Sequence, residues 1–395
     1  MSASTTAALQ GLREQFLLDP AVVHLNHGSF GACSRVAFDA YQSWQLALER
    51  NPMRFLARES GALMRSSRTA LAEFVGARAE DLAFVTNVTH GVNAVARSIE
   101  LQPGDEVLST DLEYGACDAA WQAVCRQRGA SYRRVAIAMP FDTEQFLQAM
   151  ARAIGPRTRV VFASHITSST SLTLPVASLC KLARDTGVLA AIDGAHAPGQ
   201  LALDLDALGA DFYMGALHKW LCAPKGSAFV HARSALHGGL RGPIVSWGDH
   251  EEADRSELIQ SITGSEILER RFQWQGTRDL AAFLAVPRAI EFQREHAWPS
   301  RQARCHELAV ALQRRILARN GLAPLASDEG FVQMVSIPVR ASSSTQLMQW
   351  LASAHAIETL GTAHGEQQLL RVSVQGYNDE ADLHRLERAL DEAGV

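Results

Sequence analysis

The sequence predicts an α/β fold: a mainly parallel sheet of seven strands covered by helices in a large domain, followed by a small α+β C-terminal domain. Two observations carry this. From about residue 80, short apolar runs alternate with segments of helical spacing. The runs are near-continuous rather than alternating with polar residues, which suits strands buried on both faces. After about residue 280 the alternation gives way to a long helical stretch. The 395 residues accommodate two or three domains. The expected division is 1–50 as an N-terminal segment joining the small domain, 51–280 as the large domain and 281–395 as the small one.

Residues 1–20 read as a short helix and a lead-in, and 21–35 as a loop. Residues 36–75 read as helical with a break at Asn51-Pro52, because proline lacks the N–H that an inner turn needs. Seven strands then follow: Leu82–Thr86, Val107–Thr110, Tyr132–Ala138, Arg159–Ala163, Val188–Ile192, Asp211–Met214 and Ala228–His231. Helices fill the gaps at His90–Ile99, Ala116–Arg128, Glu144–Ala153 and Val176–Thr186. Leu280–Arg319 is mostly helical with a break at Trp298-Pro299. Phe331–Val339, a helix near Ser344–His355, a strand at Leu369–Val374 and a helix at Glu380–Ala393 complete the chain.

Lys+Arg is 37 and Asp+Glu 42, a net charge of −5, with no Lys/Arg-rich run, so nucleic-acid binding is disfavoured. Hydrophobic residues make up 47%, enough for a sizeable core and against global disorder. The six cysteines form no CxxC pair and no zinc spacing, which points to free thiols in a reducing compartment. No stretch of about 18 apolar residues exists to span a membrane, and the N-terminus lacks the apolar core of a secretory signal. A cytoplasmic protein is expected.

In an open α/β sheet, ligands bind beyond the carboxyl ends of the strands. Those ends carry Asn87-Val88-Thr89-His90, Asp111-Leu112-Glu113-Tyr114, Ser164-His165-Ile166-Thr167-Ser168, Asp193-Gly194-Ala195-His196 and Leu217-His218-Lys219-Trp220. Singly, each residue has a plainer role: Asp193 as a turn former, Lys219 as a solvated cation, Thr89 as a helix cap, His165 and His196 as core histidines, Tyr114 as packing. Together they make chemical sense around pyridoxal 5′-phosphate. A helix N-terminus bearing a hydroxyl (Thr89) suits a phosphate. A carboxylate (Asp193) can pair with the pyridine nitrogen, and a lysine (Lys219) can hold the aldehyde covalently. A nucleotide-binding α/β protein is the rival of another class. It calls for a glycine-rich turn, and Thr86-Asn87-Val88-Thr89-His90-Gly91 matches neither GxGxxG nor GxxxxGK[ST].

The segments Ala190–His196, Asp211-Phe212-Tyr213, His218-Lys219-Trp220, Trp274–Asp279 and Arg371–Ser373 through Tyr377-Asn378 resemble, in order, the class V aminotransferase family of fold-type I pyridoxal-phosphate enzymes. Leu25–Gly31 with Asn51-Pro52 is most similar to its isopenicillin N epimerase-like branch. The resemblance implies Lys219 as covalent anchor, Asp193 at the pyridine nitrogen, and His196 and Ser168 near the phenolic oxygen. It places Thr89, the His90 backbone and His218 on the phosphate, Tyr114 stacked on the ring and Arg371 on the substrate carboxylate, with Asn26 beside the substrate. It also implies a homodimer in which Thr277 reaches the neighbouring site. Tyr114 could stack only or donate a proton as well. The reaction is epimerisation, transamination or β-elimination on an amino acid or an amino-acid-containing peptide. Desulfurases of the family carry a nucleophilic cysteine on a C-terminal loop; here the last cysteine is Cys305, in a predicted helix where a buried thiol is inert. Loops such as 26–35 and 241–265 are expected to set specificity.

Overall fold

The computed structural model describes residues 12–250 and 256–395. The helix expected within residues 1–20 lies largely outside them, as does part of the 241–265 loop; a single turn at Arg13–Gln15 is what is described at the start. Strand β1 (Val23–His24) comes first. The large sheet then uses β2 (Leu82–Val85), β3 (Glu106–Thr110), β4 (Ser131–Val135), β5 (Thr158–Ser164), β6 (Leu189–Gly194), β7 (Phe212–Ala216) and β8 (Ala228–Ala232). Their spatial order is β2-β8-β7-β6-β5-β3-β4. Every neighbouring pair is parallel except those of β8, which runs against both β7 and β2.

Burial explains why these runs became strands. All residues of β2, β7 and β8 are buried, as are Ala190–Gly194 of β6. Side chains alternate between two apolar layers: Ala190, Ile192 and Tyr213 enter one, Ala191, Phe212 and Met214 the other. The strand order reverses between β3 and β5, the point at which such sheets open a ligand crevice.

The helix breaks fall where proline and caps dictate. Arg35–Arg50 ends at Asn51, whose side chain accepts the Arg54 N–H and starts a new turn at Pro52. The long helical stretch divides into Ala281–Leu284, Val286–Glu295 and Trp298–Asn320, with Pro299 tolerated in a first turn. Near the C-terminus, β9 (Met334–Pro338), β11 (Leu360–His364) and β12 (Gln367–Ser373) form an antiparallel sheet in the order β11-β12-β9, and β10 (Ile357–Glu358) pairs in parallel with β1. The sequence pattern missed β11: its residues are only partly buried, so no apolar run marks it. The chain's beginning is tied to its end here, since the Leu25 carbonyl accepts the Ser373 N–H at 2.8 Å. Among the described residues no helix is long and apolar enough to cross a membrane.

Candidate active site

Asp193 sits at the carboxyl end of β6, only 3% exposed. Its Oδ1 accepts the Ala195 N–H at 2.8 Å, and its Oδ2 accepts the Cys117 thiol at 3.3 Å. Burial works against its charge, whereas those two donors and Lys219 favour it. Gly194 must follow, because a Cβ there would run into the Tyr213 ring. Lys219 lies in the turn after β7. Burial, then the charge of Arg371, lowers its pKa to about 8, against the pull of Asp193. Its Nζ is 3.3 Å from His196 Nε2. The N-terminal segment crosses directly over this lysine: at Gly31, with φ of 67°, a Cβ would collide with the His218 carbonyl.

The helix Val88–Ser98 points its N-terminus at the same place. Asn87 caps it by accepting the His90 N–H at 2.8 Å. The backbone group of His90 expected on a phosphate is therefore engaged in the cap, and Thr89, beside it, faces the cavity. His218 donates its Nδ1–H to the Ser227 carbonyl at 3.2 Å, which leaves Nε2 available; burial holds its pKa near 4. Tyr114 is half-exposed at the cap of the helix Gly115–Arg128. Behind it, Glu113 is buried between the Thr110 and Ser164 hydroxyls, both at 2.6 Å, and burial raises its pKa to about 8.

Arg371, on β12, is 1% exposed. It donates to the Ser168 carbonyl (2.9 Å) and hydroxyl (3.2 Å), to Asn26 Oδ1 (3.1 Å) and to the Ser29 hydroxyl (2.7 Å). Its Nε has no partner, and no carboxylate among the described residues pairs with it. Burial lowers its pKa to about 10, so it stays a cation.

A cavity of about 290 Å³ is lined by Thr89, Tyr114, Ser168, Asp193, His196, His218 and Lys219, residues given roles from the sequence, and by Ser29, Asn87 and Ser164, which stood in the quoted segments without a role. Asn26 and Arg371 adjoin it through Ser29 and Ser168. Thr277 is exposed and lies outside it. The sequence placed Glu113 at a strand end without giving it a role, and it missed Cys117, whose position within a helix gives no signal. An amine with a lowered pKa, a buried carboxylate with two fixed donors, a helix N-terminus and an uncompensated guanidinium fit a phosphorylated pyridine aldehyde and an amino acid.

The family model for aminotransferase class-V matches residues 35–386. The chain belongs to the class V aminotransferase family. It is a pyridoxal 5′-phosphate enzyme of fold type I. It is 39% identical over 387 residues to an isopenicillin N epimerase of Amycolatopsis lactamdurans, covering 96% of this chain and 97% of that one. It is 37% identical over 384 residues to that of Streptomyces clavuligerus, covering 96% of each. A probable L-cysteine desulfhydrase of Arabidopsis thaliana is 28% identical over 409 residues, 94% of this chain and 83% of the other. A structure of a C-DES variant with glycine covalently linked to its PLP cofactor superposes with a TM-score of 0.83 at 24% identity, over 96% of this chain and 99% of that one, and supports the fold.

Proposed function

We propose that the protein is an epimerase that inverts an amino-acid α-carbon, acting on isopenicillin N or an amino acid of that class. The observation that carries the reading is one cavity holding the Lys219 amine, whose pKa burial lowers to about 8, and the carboxylate of Asp193, with the Arg371 guanidinium, which has no carboxylate partner among the described residues, adjoining it through Ser29 and Ser168. The two epimerase relatives support the substrate class. When bound, the cofactor supplies an electron sink for the charge left on the α-carbon. Asp193 keeps a proton on the pyridine nitrogen. Thr89 and His218 hold the phosphate, and Ser168 and His196 flank the phenolic oxygen. Arg371 grips the substrate carboxylate through its planar fork, with Asn26 steadying that fork. Lys219 Nζ takes the α-proton. Tyr114 stacks on the ring, and its phenol is the candidate to return a proton from the other face.

The same reading makes the protein a cytoplasmic homodimer with shared sites, divided at residues 50 and 280. The support for a dimer is the exposed Thr277 beside Trp274, which stacks on the half-exposed Trp247 next to exposed Ile244 and Val245. The more distant desulfhydrase relatives favour a β-elimination reading. Persulfide chemistry lacks support: among the described residues no cysteine lines the cavity, and Cys305 is buried in the helix Trp298–Asn320 with its pKa raised to about 12 by burial. The test is incubation of the holoenzyme with isopenicillin N and a panel of L-amino acids, followed by chiral chromatography. The epimer is expected. Sulfide or pyruvate would replace the reading with β-elimination, and a keto acid with transamination.

A further inference from the structure

We infer that Trp220 is a positioning residue that locks His196 into one tautomer, making its Nε2–H an obligate hydrogen-bond donor into the cavity beside Lys219. Trp220 is fully buried, and its indole Nε1–H donates to His196 Nδ1 at 3.2 Å. An indole nitrogen can only donate. Nδ1 must therefore present its lone pair. The groups that face His196 are Lys219, Arg371, His218 and His27; burial first, then these cations and rings, disfavours a second proton on it. A neutral ring with Nδ1 bare carries its proton on Nε2, the atom 3.3 Å from Lys219 Nζ.

Trp220 is itself held by two contacts from distant parts of the chain. Its backbone carbonyl accepts Gln293 Nε2–H at 2.7 Å, from the helix Val286–Glu295. Its ring packs on His27, with centroids 5.0 Å apart. His27 Nε2 lies 2.9 Å from the Lys219 carbonyl and so must donate to it, leaving Nδ1 to accept the Tyr377 hydroxyl at 3.0 Å. Residues near both chain ends thus fix a group whose partner is the catalytic lysine.

The consequence is chemical. Whatever rests against His196 Nε2 has to be an acceptor: the neutral amine of Lys219, or a deprotonated phenolic oxygen of the cofactor. An ammonium, which has no lone pair, is turned away, and a phenolate accepts the bond more strongly than a phenol does. Without the indole, the ring can move its proton to Nδ1 and offer a lone pair instead. This rests on the reading that places His196 at the phenolic oxygen.

The experiment compares holoenzymes by pH titration of the visible band near ~420 nm. A donor on the phenolic oxygen stabilises the deprotonated form, so loss of the donor raises the midpoint. Trp220→Phe should raise it by about one pH unit, a tenfold change in the equilibrium. His196→Gln supplies an amide donor that does not depend on the indole, so adding Trp220→Phe to it should shift nothing further. An equal shift in both backgrounds, or none in the parent background, overturns the inference and leaves Trp220 a packing residue. Should Trp220→Phe fail to fold, ¹⁵N-histidine NMR of the parent protein decides: the resonance pair lost in His196→Gln should show a protonated Nε2, and a protonated Nδ1 overturns the inference. A parent protein that gains no visible band with pyridoxal phosphate would instead refute the cofactor reading, and the NMR would still test the tautomer.

Discussion

Replacing Arg371 by lysine keeps the charge and removes the fork. The guanidinium of Arg371 makes four hydrogen bonds, to Ser168, Asn26 and Ser29, and none of its partners is ionised. A substrate carboxylate would be its first anionic partner. Lysine offers a point charge that cannot donate two parallel bonds to one carboxylate. One charge-assisted hydrogen bond is then lost, about 1.5–3 kcal/mol, which converts to a roughly 10- to 150-fold weaker grip. The assay is titration of the holoenzyme with an L-amino acid substrate and with the amine that lacks its carboxylate, read from the cofactor's visible absorption. Arg371→Lys should weaken the amino acid by that factor and leave the amine unchanged. The fold should tolerate the change, because the Asn26 carbonyl oxygen keeps the Ser29 hydroxyl at 2.6 Å and the Ser168 hydroxyl can reorient. The thermal midpoint should therefore move by no more than about 5 °C. Equal weakening of both ligands, or a much larger loss of stability, would show that Arg371 is a structural tie between the chain's two ends and not a carboxylate site.

Borohydride reduction of the holoenzyme followed by peptide mapping should label Lys219; label on Lys225 or Lys181 would reject that anchor. Recombination of apoenzyme with pyridoxal phosphate should speed up as pH rises through about 8 and then level off, because only the unprotonated amine of Lys219 attacks and burial has lowered its pKa to that value. In Arg371→Ala the nearby positive charge is gone, so the midpoint should move upward; a midpoint near the ordinary lysine value in the parent protein would refute the burial argument. Mixing Lys219→Ala chains with Thr277→Ala chains should restore activity in hybrid dimers, since one of the two sites then holds both groups; a fully active monomer would sink the shared-site reading.

Much of this architecture is legible in the chain because burial on both faces leaves a mark. The runs Leu82–Val85 and Ala190–Ile192 contain no charged residue, and each became a strand of the central sheet. Asp193 and Lys219 stand out because an ionisable residue directly after such a run falls at the carboxyl edge of the sheet. Glu113 stands at a strand end too, but its position alone assigns it no role, and Cys117, inside a helix, left no mark. Only packing shows that one is buried between two hydroxyls and the other bonded to Asp193. His90 shows the reverse: the family resemblance implies its backbone on the phosphate, and here its N–H is bonded by the local Asn87 cap.

The sequence by itself determined most strands and helices of the large domain, the two-sided burial of most central strands and the edge on which the ionisable residues gather, because periodicity and strand-end position are local properties of the chain. The tertiary structure decided which distant residues meet. Asn26 and Arg371 are 345 residues apart and share a hydrogen bond, because β1 pairs with β10 and Leu25 bonds to Ser373. An apolar run announces that it will be buried but not beside what, since strand order is set by how all the layers pack at once. The tautomer of His196 is of the same kind: it depends on an indole packed against His27, on a residue whose backbone carbonyl is bonded by Gln293, contacts that exist only after the chain has closed on itself.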